Sequence, residues 1–189
     1  MSECISVASP LDPSIIQKFR AGDHVAITGT VYTARDAAHQ RLVDALKKGE
    51  KLPFDIAGQT IYYCGPSPAR PGRPIGSCGP TTSKRMDSFT PQLLVAGLRA
   101  MIGKGSRAPE VKQAMIKHNA VYFITTGGAG ALISKSIKSA DIVAYEDLGA
   151  EAVLRLEVEN FPAVVAYDIY GGDLYEAGRA RYRRPVGYP

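Results

Sequence analysis

The run Gly79-Pro80-Thr81-Thr82-Ser83-Lys84-Arg85-Met86-Asp87 puts two adjacent hydroxyls and a guanidinium within a few residues of one another. Proline is well tolerated in a first helical turn, so Gly79-Pro80 predicts the end of a loop and the start of a helix. Free backbone N–H groups and partial positive charge in such a turn attract carboxylates. On a helix, Thr81, Thr82 and Arg85 would share one face, aimed at an anion over the turn. The same pattern also reads as a helix cap with a surface arginine.

Two further places carry charge suited to an anionic ligand. Arg35 is expected in the first turn of its helix, where the macrodipole disfavours a cation by about 0.3–1 kcal/mol. A cation set against its local field suits a bound anion, although a long side chain can also bend into water. His39 follows one turn later on the same face, which makes it a candidate proton carrier. Gly103-Lys104-Gly105 adds a lysine between glycines that let the backbone approach a ligand; exposed lysines in such turns are also common.

The elements that would position these residues follow from periodicity. Asp23 to Thr33 alternates as a strand, with Val25, Ile27 and Val31 on one face. Thr33-Ala34-Arg35-Asp36 resembles a capping box. The helix after it carries Ala38, Leu42, Ala45 and Leu46 on one stripe and ends at Gly49. Ile61 to Cys64 reads as a short strand, and Gly65 to Pro80 as a long loop broken by Gly and Pro. Thr90-Pro91 opens a helix with Leu94, Leu98, Met101 and Ile102 inward, and Pro109 opens another that ends near His118. Then come a strand (Val121 to Thr125), a Gly-rich turn (Gly127 to Gly130), a helix (Ala131 to Ile137) and a strand (Ile142 to Tyr145). Strands from Val153 to Val158 and from Ala163 to Ile169 complete the chain. The irregular alternation predicts a mixed α/β domain rather than a regular doubly wound sheet.

A chain of 189 residues fits one domain. No apolar run approaches the ~20 residues of a membrane span, and the N-terminus shows no secretory pattern, so a cytoplasmic location is expected. Cys4, Cys64 and Cys78 make neither an even disulfide set nor a C-x-x-C pair, which predicts reduced thiols. Of the net charge of +5, four units lie in Arg179, Arg181, Arg183 and Arg184, which leaves +1 for the rest. Such a tail is either solvated or docks on an acidic partner. The body lacks the basic stripe and aromatic motifs of a nucleic-acid binder.

The string from Ile61 to Asp87 resembles the beta subunit of class I fumarases. The match rests on Tyr63-Cys64-Gly65-Pro66, Pro71-Gly72-Arg73-Pro74-Ile75-Gly76-Ser77 and the Gly79–Asp87 run. Thr33-Ala34-Arg35-Asp36-Ala37-Ala38-His39, Lys104-Gly105, Tyr122 to Gly128 and Tyr145-Glu146-Asp147-Leu148-Gly149 fall at matching places. The resemblance spans about Ala21 to Glu176.

It implies a single swivelling β/β/α domain over residues 1–189, with 1–20 and 177–189 peripheral or mobile. It implies an iron–sulfur hydro-lyase that interconverts fumarate and malate, a step of the tricarboxylic acid cycle. A [4Fe–4S] cluster is expected in a partner alpha subunit of a hetero-oligomer such as α2β2, with no metal bound by this chain. Thr81 matches a proposed acid–base residue, and Arg35, Thr82, Arg85 and Lys104 match ligands of the dicarboxylate. His39 matches a proposed active-site histidine of tartrate dehydratases, whose beta subunit is the nearest alternative. From other classes, a nucleotide binder using Gly127-Gly128-Ala129-Gly130 lacks the spacing of dinucleotide and P-loop motifs; a polyanion binder would use the arginine tail.

Overall fold

The computed structural model describes residues 4–183. In chain order its strands and helices are β1 (Ile5–Ser9), α1 (Pro13–Ile16), β2 (His24–Thr33), α2 (Asp36–Lys48), β3 (Thr60–Tyr62), α3 (Thr90–Val95), β4 (Ala100–Gly103), α4 (Pro109–Lys117), β5 (Val121–Ile124), α5 (Gly130–Ile133), β6 (Ile137–Ala144), β7 (Val153–Tyr167) and α6 (Leu174–Tyr182). Single 3-10 turns lie at Ser83–Met86, Ser134–Ser136 and Glu146–Glu151.

One mixed sheet holds all seven strands, as an α/β chain requires. β2, β3, β4 and β5 run parallel in that order, and antiparallel β7 joins β5 back to β2. The five strands therefore close into a barrel, a closure that the expectation of a mixed α/β domain did not include. β1 pairs with β2 outside the ring, and β6 pairs with β7. Closure leaves the ring no free edge of its own.

Successive strand residues face opposite sides, and here both sides are covered. Ala100 and Ile102 of β4 and Val121 and Phe123 of β5 join one cluster with Val25, Ile27 and Phe161. Met101 and Tyr122, the residues between, pack in a second cluster with Ala38 and Leu42 of α2 and Leu93 and Leu94 of α3. This double burial is why β4 reads as the unbroken apolar run Ala-Met-Ile. It also corrects one expectation: Met101 and Ile102, expected on the α3 helix, belong to β4. Periodicity alone does not separate a short buried strand from the end of a helix.

Three other expectations change. The strands foreseen at 153–158 and 163–169 are halves of β7, which continues through Asn160-Phe161-Pro162. The strand bends there: Asn160 takes a φ of 51°, and the pairing with β2 shifts register between Ile27 and Gly29. Gly29, with φ of 117°, has its α-carbon against the Ser9 carbonyl, where a Cβ would come within 2.1 Å. Ile137 opens β6 instead of closing a helix. Finally, Thr33 does not cap α2. Its hydroxyl accepts from Leu154 N–H at 3.0 Å and lies 3.3 Å from the Ala152 carbonyl, so the long-range contact with β7 takes the place of the local cap.

Of residues 1–20, expected at the periphery, 5–9 form β1, and Ile16 and Phe19 are buried. In the tail, Arg179 and Arg181 lie in the last turn of α6, Arg183 follows it, and Arg184 lies outside the described residues. No helix among the described residues is long and apolar enough to cross a membrane.

Candidate active site

The carboxyl ends of β2 to β5 point the same way, and all the candidate residues leave the barrel at that rim. Arg35 follows β2, the 65–82 loop follows β3, and Lys104 follows β4. Thr81 and Thr82 return to the same rim through the backbone. Thr81 N–H donates to the Tyr63 carbonyl at 2.6 Å, Lys104 N–H donates to the Thr81 carbonyl at 3.2 Å, and Ser83 N–H donates to the Lys104 carbonyl at 2.9 Å. Parallel α/β sheets place ligands at this end of their strands.

The two threonines differ in placement. The helix expected from Thr81 is a 3-10 turn from Ser83 to Met86, with Thr82 at its N-cap. Thr81 sits before it, next to Thr82, which forms an isolated parallel bridge with Lys104. Thr82 and Arg85 thus share one edge of the turn, since residues three apart eclipse in a 3-10 helix. Thr81 does not share it. Thr82 is exposed and its side chain makes no capping bond.

Arg85 and Arg35 are oriented by carboxylates that local sequence reading missed. Arg85 Nε donates to Asp36 Oδ1 at 2.8 Å, and its Nη2 lies 2.7 Å from Oδ2. Arg35 is the N-cap of α2 rather than part of its first turn. Glu151 holds it, with Oε1 3.3 Å from Arg35 Nη2 and Oε2 accepting from Ala37 N–H at 3.0 Å. One carboxylate thus offsets both the helix end and the cation beside it, which resolves the electrostatic conflict read from the sequence. Gly65 lies beneath Arg35, and a Cβ there would come within 2.6 Å of Nη1. Arg35 Nε is buried and has no partner. A buried donor left so costs about 1–3 kcal/mol, a cost that an arriving carboxylate oxygen would remove.

The stem of Lys104 crosses the Gly127-Gly128 turn, where a Cβ on Gly127 would lie 3.6 Å from Nζ. Its strand is set by a hydrogen-bonded chain that the sequence did not disclose. Ser83 Oγ lies 2.6 Å from Tyr122 OH, which donates to the Gly105 carbonyl at 2.9 Å. Gly103 must lack a side chain, because a Cβ would fall 2.0 Å from Ser83 Oγ.

His39 is fully buried, with its ring edge-on to Tyr63 at 5.2 Å. Nδ1 lies 2.9 Å from the Arg35 carbonyl, an acceptor, so Nδ1 carries the proton and Nε2 keeps a lone pair without a partner. Burial, chiefly, pushes its pKa from 6.5 down to about 4. Above pH 6.5 the ring is neutral in both folded and unfolded chains. As pH falls from 6.5 towards 4, only the unfolded chain gains the proton, so up to roughly 3 kcal/mol of stability is lost across that window. Urea unfolding near pH 7 and near pH 5 should show this fall, and His39→Gln should remove most of it. An equal fall in both proteins would locate its source elsewhere.

Cys64 and Cys78 are buried with their sulfurs 2.6 Å apart, whereas Cys4 is exposed beside β1. Contact with Cys64, then burial, pushes the Cys78 thiol pKa up. A thiol held protonated is a poor cluster ligand. Among the described residues no group of His, Cys, Asp or Glu is arranged to hold a metal. These residues do not fit an iron–sulfur cluster.

Fold and site together define an α/β barrel whose hydroxyls, arginines and lysine gather at one rim. The chain belongs to the fumarase C-terminus family, whose sequence model matches residues 2–178. It is 38% identical over 163 residues to the anaerobic class I fumarate hydratase of Escherichia coli K12, covering 85% of this chain and 30% of that protein. It is also 38% identical over 169 residues to the mitochondrial fumarate hydratase 1 of Leishmania major, covering 87% of this chain and 31% of that protein. A Methanocaldococcus jannaschii chain provisionally named L(+)-tartrate dehydratase subunit beta is 38% identical over 167 residues, covering 85% of this chain and 86% of that one. The chain thus spans under a third of these fumarate hydratases and most of a separate subunit.

Proposed function

We propose that this chain is the beta subunit of an iron–sulfur fumarate hydratase, working with an alpha subunit that carries the [4Fe–4S] cluster. The observation that carries the reading is the rim itself. Arg35, Arg85, Lys104, Thr81 and Thr82 all lie at this end of the parallel strands, and Arg35 Nε has no partner. The name of the Methanocaldococcus relative, a subunit beta, supports a two-chain enzyme. The barrel would be the swivelling unit that closes on the partner.

Hydration of a double bond conjugated to a carboxylate builds negative charge on that carboxylate. Arginines fixed in advance stabilise the charge where it develops. Arg35 and Arg85 come pre-oriented by Glu151 and Asp36, so little rotamer freedom is lost when substrate binds. Lys104 and Thr82 hold the second carboxylate. Thr81 hands the proton to the substrate carbon or takes it back. His39 holds the Arg35 carbonyl and so sets the start of α2.

Anaerobic co-expression with a cluster-bearing alpha subunit tests the reading, by assay on malate, fumarate and both tartrates. Turnover of fumarate and malate is expected. Dehydration of L-tartrate alone would make the chain a tartrate dehydratase beta subunit, the second reading, which the provisional name of the Methanocaldococcus chain favours. In that complex Arg85→Lys should raise KM for malate about tenfold despite the kept charge, because lysine lacks the planar fork that grips a carboxylate. An unchanged KM would remove Arg85 from the substrate.

A further inference from the structure

Arg70 and Arg73 stand on the loop after β3 and line a cleft in which Arg35, Thr81, Thr82, Arg85 and Lys104 take no part. The structure assigns to them, with Lys135, a second anion-binding site: a cleft of about 290 Å³ for a compact phosphate or carboxylate compound of two or more negative charges.

The loop is built to hold the arginines together. Arg70-Pro71-Gly72-Arg73 is a β-turn, with Arg73 N–H donating to the Arg70 carbonyl at 3.0 Å and Gly72 at φ 73°. Proline second and a positive-φ glycine third is the sequence of a type II turn, which brings the first and fourth residues within about 7 Å. A turn of that type pins two like charges side by side. The rest of the loop is equally constrained. Ser67 N–H donates to the Ser77 carbonyl at 3.0 Å, and Ser77 N–H donates to Ser67 Oγ at 2.8 Å. Gly76 lies so close under the turn that a Cβ would meet the Ser67 and Pro68 carbonyls at 2.3 and 2.4 Å. Ile75 is buried behind it.

Lys135 approaches from the other wall, on the 3-10 turn after α5. Cys78 N–H donates to the Gly130 carbonyl at 3.2 Å and ties the two walls together. None of the three cations makes a side-chain hydrogen bond or ion pair among the described residues. The reason lies in the sequence. No Asp or Glu occurs from 64 to 86 or from 120 to 140, the two segments that form the cleft. Three unneutralised cations repel one another, and an anion between them converts that repulsion into attraction. Paired guanidiniums suit phosphate and carboxylate oxygens, which they can grip two bonds at a time. A cleft of about 290 Å³ suits a small molecule, well short of a nucleotide with its base buried. The site stands independently of the hydratase reading.

Calorimetry on the full chain with pyrophosphate and with citrate tests it, at low and at high salt. One-to-one binding that weakens with salt is expected. Arg70→Ala/Arg73→Ala should weaken it about tenfold or more, and Lys135→Glu should do the same without touching the turn. Arg85→Met, at the rim, should leave it unchanged. Binding of pyrophosphate alone would mark a phosphate ligand, of citrate alone a carboxylate, and of both the shared chemistry; each supports the site. Binding that survives Arg70→Ala/Arg73→Ala and Lys135→Glu, or is lost in Arg85→Met, overturns it. So does the absence of binding by either anion, and if the double variant then also fails to co-purify with the alpha subunit, the surface belongs to a partner chain.

Discussion

If the chain works as proposed, Thr81→Ala should lower the turnover of the assembled enzyme by about a hundredfold or more, while KM for malate should move by less than about threefold. A rate loss without a binding loss is the mark of a group that acts chiefly in the transition state. The backbone of Thr81 is held at both ends, its N–H by the Tyr63 carbonyl and its carbonyl by Lys104 N–H, without help from the side chain. Removing the hydroxyl should therefore leave the rim in place. Thr82→Ala should behave in the opposite sense, raising KM with little change in turnover. Thr81→Ser should keep part of the rate, since the hydroxyl stays but loses the methyl that restricts its rotamer. Iron content must be matched between proteins, because cluster loss imitates a catalytic defect. With that control, near-normal turnover in Thr81→Ala would exclude its hydroxyl as the proton carrier and leave His39 or the partner chain.

Arg107→Met should cost about 3–5 kcal/mol of stability, because it strands a carboxylate inside the fold. Arg107 is almost fully buried. Its Nε donates to Asp87 Oδ1 at 2.6 Å, Nη2 to Thr90 Oγ1 at 2.6 Å and Nη1 to Tyr63 OH at 3.1 Å. Asp87 Oδ2 accepts from Ala108 N–H at 2.8 Å. This one guanidinium joins the end of the Ser83–Met86 turn to the start of α3 and to the residue whose carbonyl holds Thr81. Urea unfolding measures the loss, and a change below about 1 kcal/mol would mean that water reaches and satisfies Asp87. Arg107→Met/Asp87→Leu should recover a large part, since an apolar pair carries no unpaired charge. Recovered stability with lower activity would show that the ion pair also sets the turn that carries Thr82 and Arg85.

The residue types of the candidate site were legible before the structure because they are written in short strings. The Gly79–Asp87 run names its own residue types, and Gly49 ends α2 in the left-handed conformation expected of a glycine there. Cys64 and Cys78, read as reduced thiols, are free and buried. What escaped reading were the partners. Asp36 looked like a capping-box acid and is instead the counter-charge of Arg85. Glu151 carried no local signal at all, because its role at Arg35 exists only once β7 lies against β2. Arg107, a lone basic residue in sequence, becomes a buried hub only through contacts with Tyr63, Asp87 and Thr90.

The sequence by itself determined the chemistry on offer and most of the elements: two arginines, threonine hydroxyls after Gly79-Pro80 and a lysine between two glycines. Those signals are local, and local backbone preference is enough to express them. The tertiary structure alone decided that β7 continues through Pro162, that the sheet closes into a ring, and that Thr81 stands outside the turn that holds Thr82 and Arg85. Each of these depends on pairing between residues far apart in the chain. Such pairing is settled by which faces find cover and which buried polar groups find partners, and neither can be read from a residue's near neighbours.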